Sequence, residues 1–387
     1  MKVYFKNLDG IRFLAAFMVV VHHSIFFKKS YSASYPIVER SIELMGRLGV
    51  SLFFILSGFL ISYLLLVEKD KTGTISFRNF YIRRILRIWP LYLGYGLILT
   101  LFSPTVFAML GMGQEATDWS TKLLNLVFLL FFAVNFQLAF LGDNRGIFEV
   151  SWSVCIEEQF YLIWPPLVNF FRKKLSRLLV IMFATSIISR IFFYFILPAL
   201  YPGGPSDRFL GINYEMLFDK LDLFGGGLFI ALVYYNRSKY TAVLGRLFHP
   251  LVQVVMTVLA VLFTVSVVRP TDQFLVFGLH YVCDILYGYV LLAAVAENSI
   301  YRLETPLLKT LGKISYGIYL FHTAVCQLVL IVFKKFIQHP ESRIIYDILY
   351  PLAGVTATCV VAWISYTYYE RWFLLRKKKF EAVHTRI

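Results

Sequence analysis

An all-α, polytopic transmembrane helical bundle of about ten spans plus one re-entrant or interfacial segment is the architecture this sequence predicts. Three observations predict it. Of the 387 residues 58% are hydrophobic and 18% aromatic, with a mean hydropathy of +0.67, which is more apolar surface than a soluble core of this length hides. Apolar segments recur from end to end with no polar stretch as long as a soluble domain. Residues 1–387 therefore read as a single membrane domain with a short basic cytoplasmic tail from about 371 to 387 and no appended soluble domain. Finally, Lys and Arg fall in short clusters between the apolar segments, the pattern of cytoplasmic loops.

In chain order the apolar segments cover roughly 8–27, 48–67, 88–110, 123–141, 150–171, 178–200, 214–235, 250–268, 274–296, 310–333 and 345–369. The first is a retained helix and not a cleaved signal peptide, because no small-residue cleavage pattern follows its apolar run and two His stand there. The basic clusters are Lys69 to Arg87, Arg172 to Arg177, Arg237 to Arg246, Arg302 to Lys313 and Arg371 to Arg386. If all eleven segments crossed, the first cluster would face away from the other four. Letting one of the three segments between Arg87 and Arg172 stay re-entrant puts all five clusters, and both termini, on the cytoplasmic side of the inner membrane. Lys28, Lys29, Arg40 and Arg47 then sit in the first outer loop against the rule, while Arg208 and Arg269 are single outer cations.

The net charge of +15 is accounted for by this anchoring, and no helix or sheet is left over to read nucleic acid. Cys155, Cys283, Cys326 and Cys359 are widely separated within apolar segments, which argues against a disulfide framework and a zinc site, so no metal is expected.

Charges inside apolar segments mark candidate sites, because they are costly in lipid. In "LDGIRFLAAFMVVVHHS", Arg12 and His23 are eleven residues apart and so share a helix face about 16 Å apart along the axis. Asp9, three residues before Arg12, is placed to orient its guanidinium. "FRNFYIRRILRIWPLY" puts Arg84 and Arg87 one turn apart, where two planar forks suit phosphate. "EVSWSVCIEEQFYLIWPP" buries Glu157 and Glu158 in an aromatic run. Ser153 shares the face of Glu157. His280 and Asp284 have the one-turn spacing of a satisfied intramembrane pair.

These stretches together resemble acyltransferase family 3, bacterial membrane O-acyltransferases that modify surface polysaccharides and related acceptors. The first helix matches the family's Arg, ten intervening residues and His at Arg12 and His23. "RRILRIWPLY" matches its Arg-x-x-Arg motif at Arg84 and Arg87, and "FFILSGFLIS", "DKLDLFGGGLFIAL", "LGKISYGIYLFH" and "YYERWF" resemble further landmarks in order. The resemblance covers nearly the whole chain. It departs at Phe13, where the family often has Gly, at Cys155, where it often has Ser, and at Lys220, where it has Arg.

The resemblance implies transfer of an acyl group, most simply acetyl from acetyl-CoA or another acyl-CoA, to a hydroxyl of a cell-surface or lipid-linked carbohydrate. Such chemistry needs a base for the hydroxyl and a grip on the carrier. His23 is the expected base, since neutral imidazole accepts a proton near pH 7. Arg84 and Arg87 are expected to hold coenzyme A phosphates, with Arg12 a further cofactor-binding cation. Glu157, in preference to Glu158, is expected to orient His23 or the acceptor hydroxyl. His322 is a second acid/base or a structural partner. Lys220 and Asp222 form a buried pair or line the acceptor path together with Glu158. Ser153 and Cys155 are the candidate acyl carriers if transfer passes through an acyl-enzyme. Some relatives carry a periplasmic esterase-like domain; with 17 residues after Glu370, this chain is expected to act alone or with a separate periplasmic partner. The competing expectations are a glycan exporter or flippase, which needs neither base nor carrier grip, and acylation of a small intracellular metabolite.

Overall fold

In the computed structural model the apolar segments are helical over most of their described residues. The structure describes residues 2–29, 31–32, 39, 42, 44–109, 119–141, 150–201, 206–265, 273–337, 339–381 and 383–385. Arg40, Arg269 and Arg386, and the side chain of Arg208, lie outside the described residues. The main helices are α1 (Leu8–Lys28), α2 (Met45–Thr72), α3 (Phe77–Met109), α4 (Trp119–Leu130), α5 (Val134–Leu141), α6 (Trp152–Phe170), α7 (Leu175–Ile191), α8 (Ser206–Tyr214), α9 (Leu217–Tyr235), α10 (Thr241–Leu247), α11 (Pro250–Val265), α12 (Gln273–Val295), α13 (Pro306–Lys313), α14 (Ser315–Phe336), α15 (Tyr350–Ser365) and α16 (Arg371–Lys377). Wider π-helical turns at Phe192–Ile196, Ile345–Leu349 and Tyr366–Glu370 extend α7 and flank α15. The described strands are a parallel two-residue pairing of β1 (Lys2–Val3) with β2 (His384–Thr385).

Among the described residues six helices are long and apolar enough to cross a membrane, and a seventh crossing results if α10 and α11, bent by 57° at their junction, count as one span. That is fewer than the ten expected. The remaining long helices, α6, α9 and α12, span 19, 19 and 23 residues. The sequence places Glu157 and Glu158 in α6, and Asp219, Lys220 and Asp222 in α9, which is what lowers their hydropathy. The segment expected at 123–141 is broken. Helices of 12 and 8 residues reach only about 18 and 12 Å, against a hydrocarbon core of about 30 Å.

The helices form two compact units: residues 1–74, 222–363 and 383–387 make the first, and residues 75–221 and 364–382 the second. In the first unit α1 packs against α2, α13 and α14. Asn7, with a left-handed φ of 62°, turns the chain into α1. Its amide donates to the Ala294 carbonyl at 2.9 Å and its carbonyl accepts from the Leu303 N–H at 2.9 Å. Glycines let backbones approach closely, as is usual between membrane helices. A Cβ on Gly49 would lie 2.6 Å from the Ala15 carbonyl oxygen, and one on Gly312 only 2.1 Å from that of Asp9.

One feature of the first unit removes a conflict in the charge pattern. Lys28, which the positive-inside rule counted as a misplaced outer cation, is completely buried and ion-paired with Asp347 at 2.5 Å. A paired, desolvated lysine reports packing and not sidedness. Lys29 is likewise paired, with Glu39 at 2.6 Å, but at the surface.

In the second unit the break between α4 and α5 is built from side chains. Phe132 takes a left-handed φ of 51° without being glycine, a strain of about 1–2 kcal/mol. Its ring stacks on Tyr92, with centroids 4.3 Å apart and planes 16° apart. Gln159 on α6 donates to the Phe132 carbonyl at 3.1 Å and to Asn135 Oδ1 at 2.9 Å. Irregular backbone inside a membrane protein needs such internal satisfaction.

Candidate active site

In the first unit α1 and α14 bring together two histidines that are 299 positions apart in the chain. His322 is completely buried. Its Nδ1 faces the Tyr319 carbonyl at 2.5 Å, and because a carbonyl only accepts, that nitrogen carries the proton. His322 Nε2 is then a lone pair, 3.2 Å from His23 Nδ1. His23 Nδ1 also faces the Val19 carbonyl at 2.9 Å, so it carries its own proton and shares it between the two acceptors. The rings are 4.8 Å apart, centre to centre. His322 is thereby assigned as neutral, and His23 Nε2, which has no hydrogen-bond partner among the described residues, carries the lone pair whenever the His23 ring is neutral. His322 is thus a hydrogen-bonding neighbour of His23, an arrangement compatible with either role the sequence leaves open for it, second acid/base or structural partner.

His22 serves a different purpose. It faces the Ile42 carbonyl at 3.1 Å and sits against Gly46, where a Cβ would come within 2.6 Å of the ring. At the other end of α1, Arg12 Nη1 bonds Asp9 Oδ1 at 3.3 Å, the pairing the spacing predicts. Arg12 and His23 thus lie on one stripe of one helix. Asp222, also in this unit, is fully buried, and its carboxylate accepts from the Leu223 N–H at 2.9 Å.

The second unit holds the arginine motif. The Arg84 guanidinium lies over the Tyr161 ring at 5.6 Å and the Phe80 ring at 5.8 Å, faces that a cation prefers. Arg84 Nε is buried with no hydrogen-bond partner among the described residues. Arg83 donates from Nη1 to the Phe380 carbonyl at 2.7 Å, tying α3 to the segment after α16. Nearby, the buried Lys377 of α16 pairs with the half-buried Glu381 at 3.4 Å.

The two carboxylates of α6 diverge as adjacent helical residues must. Glu158 accepts from Trp89 Nε1 on α3 at 3.1 Å, and its other oxygen is buried without a partner among the described residues. Glu157 accepts from the Tyr161 hydroxyl of its own helix at 3.3 Å. Of the two, Glu158 is the one that bonds to the helix carrying the arginines. Ser153 is buried and donates to the Val150 carbonyl at 3.4 Å. Cys155 is fully buried against the Tyr92 hydroxyl at 3.2 Å.

Lys220 belongs to a larger network than the sequence reading supplied. Its Nζ pairs with Asp219 Oδ2 at 2.7 Å, while Arg190 Nε and Asn213 Nδ2 donate to Asp219 Oδ1 at 2.8 and 2.9 Å. Lys220 also lies 3.6 Å over the Tyr214 ring. Asp219 is the hub, and all three charged residues are buried. Reasoning from sequence missed Arg190 and Asp219, although each is a charge inside an apolar segment and the cost of such charges was signal enough. Among the described residues no group of three or more His, Cys, Asp or Glu side chains gathers as a metal site would.

The Bacillus subtilis protein YrhL is 28% identical over 95% of this chain and 54% of its own length. The peptidoglycan O-acetyltransferase OatA of Listeria monocytogenes is 27% identical over 95% of this chain and 55% of its own. The O-acetyltransferase OatA of Staphylococcus aureus is 26% identical over 98% and 58%. The chain therefore spans about half the length of the curated relatives it matches. No solved structure matches it. A family model described as an acyltransferase domain matches residues 5–370, a range that takes in the histidine pair, the arginine motif and the α6 carboxylates, and the chain belongs to that family, acyltransferase family 3.

Proposed function

We propose that this chain is a multi-pass membrane O-acetyltransferase that moves an acetyl group from acyl-CoA to a hydroxyl of a cell-wall or lipid-linked carbohydrate. The observation that supports the reading is the histidine pair, with His322 Nε2 3.2 Å from His23 Nδ1; in this reading His322 holds the tautomer of His23 and His23 Nε2 is the base. The relatives whose names specify an acceptor act on peptidoglycan, which makes a glycan the first acceptor to test.

In this reading His23 Nε2 takes the proton of the acceptor hydroxyl as its oxygen bonds to the thioester carbonyl carbon. His23 then returns that proton to the sulfur as the carbon–sulfur bond breaks, so the products are an ester and a free thiol. General-base help of this kind contributes about 10²- to 10⁴-fold. Arg84 and Arg87 hold the carrier's phosphates, a role supported by the buried, unpartnered Arg84 Nε, with Arg12 as a further cation. Glu158 or Glu157 orients its neighbours. Ser153 and Cys155 are left outside the chemical step: Cys155 is fully buried beside Tyr92, and direct transfer needs no acyl carrier.

The accompanying topology has ten spans in the inner membrane: α1, α2, α3, α6, α7, α9, α11 with the interfacial α10 leading into it, α12, α14 and α15. The broken pair α4 and α5 does not cross, and both termini face the cytoplasm. Membrane vesicles containing the protein, supplied with labelled acetyl-CoA, test the activity when surface glycans from cells with and without the protein are compared by mass spectrometry. Ester-linked acetyl on the glycan only when the protein is present supports the reading. Unchanged glycan with no CoA release would overturn it.

A further inference from the structure

A cavity of about 560 Å³ opens at the end of α9, under the short helix α10 and against the loop after α12. It belongs to the first unit, and neither histidine of the pair lines it. Its volume is in the range of small-ligand sites, and its lining is divided by chemistry. Leu244, Phe248 and Leu292 make an apolar, buried floor. Arg237, Ser238 and Thr241 stand along the mouth.

Arg237 is held in place there. Its guanidinium lies 4.8 Å over the Tyr234 ring and donates from Nη1 to the Tyr234 carbonyl at 3.2 Å. Its carboxylate neighbour, Glu297, is 4.0 Å away with a side chain 87% exposed, and such a surface pair contributes little and yields readily to a better anion. Lys239 and Arg246 add positive charge at the same corner. On α10 and just before it, Tyr240, Val243 and Leu247 are exposed, and α10 meets α11 at 57°. A short helix with basic ends and an outward apolar face is what lies along a membrane interface.

We propose that this cavity is a binding site for an anionic glycerophospholipid of the surrounding bilayer. The headgroup phosphate meets the planar fork of Arg237 and the hydroxyls of Ser238 and Thr241. The glycerol and upper acyl chains follow the apolar floor and the outward face of α10. A soluble phosphate ester would use the cation and leave the apolar lining without a partner, whereas a zwitterionic lipid would gain less from the excess positive charge. The proposal does not depend on the acyl-transfer chemistry.

The test is native mass spectrometry of the full chain released from nanodiscs of phosphatidylcholine mixed with phosphatidylglycerol. The parent is expected to retain phosphatidylglycerol preferentially. Arg237→Gln should lower that retention by roughly tenfold or more, the scale of a lost charge-assisted contact, and the isosteric Thr241→Val should lower it by a smaller factor. Arg246→Gln, which removes a neighbouring charge that does not line the cavity, should leave it within about twofold. Equal retention of the two lipids, unchanged retention in both Arg237→Gln and Thr241→Val, an equal loss in Arg246→Gln, or displacement of the lipid by soluble glycerol phosphate would each overturn the proposal.

Discussion

The histidine pair and the arginine motif solve the problem of polar groups in an apolar protein in opposite ways. At His23 and His322 each nitrogen but one has a hydrogen-bonding neighbour among the described residues, and the exception, His23 Nε2, is the atom the proposed chemistry uses. Around Arg84 two buried polar atoms, Arg84 Nε and Glu158 Oε1, remain without partners among the described residues. A base must be aimed before its substrate arrives, because reorganisation during the reaction raises the barrier. A phosphate grip must keep hydrogen-bonding capacity in reserve, since a donor already satisfied inside the protein adds little to binding. The preorganised region should therefore answer substitution through rate, and the reserved region through affinity.

The largest expected effect concerns what holds α1 in place. Lys28→Met leaves Asp347 buried without its cation, and breaking a buried pair in this way costs about 3–5 kcal/mol. Thermal unfolding in detergent should show a large loss, with most of it recovered in the double variant Lys28→Met/Asp347→Leu. If the single variant is as stable as the parent, the pair does not anchor the helix that carries His23. Next in size is His322→Phe, which keeps the ring but removes the acceptor for His23 Nδ1. It should lower the turnover number by about 10- to 100-fold with little change in KM, because it changes the aim of the base and not the hold on the donor. A change confined to KM would place His322 in binding.

Arg84→Lys should act the other way. It keeps the charge and loses the planar fork, so donor affinity measured by calorimetry should fall about tenfold while the rate at saturating donor stays near the parental value. Unchanged affinity would make the motif an anchor alone. The smallest effect lies outside the membrane. Burial alone would raise the Glu304 carboxyl, but donation by the Tyr4 hydroxyl, the Asn7 N–H and nearby Lys309 outweighs it, and its pKa is lowered in the folded protein. A depressed carboxylate adds stability above its unfolded value and loses it as pH falls through its folded value. Acid titration of thermal stability should therefore show a shallow drop below the ordinary carboxylate range that Glu304→Gln removes.

How much of this was legible beforehand depended on the distance over which each feature is specified. Helices and local pairs were: the apolar runs foretold α1 and α14, and the three-residue spacing foretold the contact of Asp9 with Arg12. His23 and His322 were each legible as buried polar residues, but their adjacency was not, since no periodicity links positions so far apart. The pairing of Lys28 with Asp347 was hidden for the same reason, and a charge rule that counts loop cations has no access to such a pair. The break at Phe132 carries neither Gly nor Pro as a signal. Its left-handed turn is held by stacking on Tyr92 and by Gln159, which only the folded chain brings near. Ten crossings rest on the charge rule, while helix length and composition among the described residues support six or seven.

The central claim is that His23 Nε2 is the base, and single-turnover acyl transfer tests it most directly. Purified His23→Gln and His22→Gln proteins, each shown to bind coenzyme A normally, are compared with the parent. The account predicts a loss of roughly 10²-fold or more for His23→Gln and a far smaller loss for His22→Gln, whose ring points about 100° away on the same helix and faces the Ile42 carbonyl. Transfer by His23→Gln at near the parental rate would contradict it.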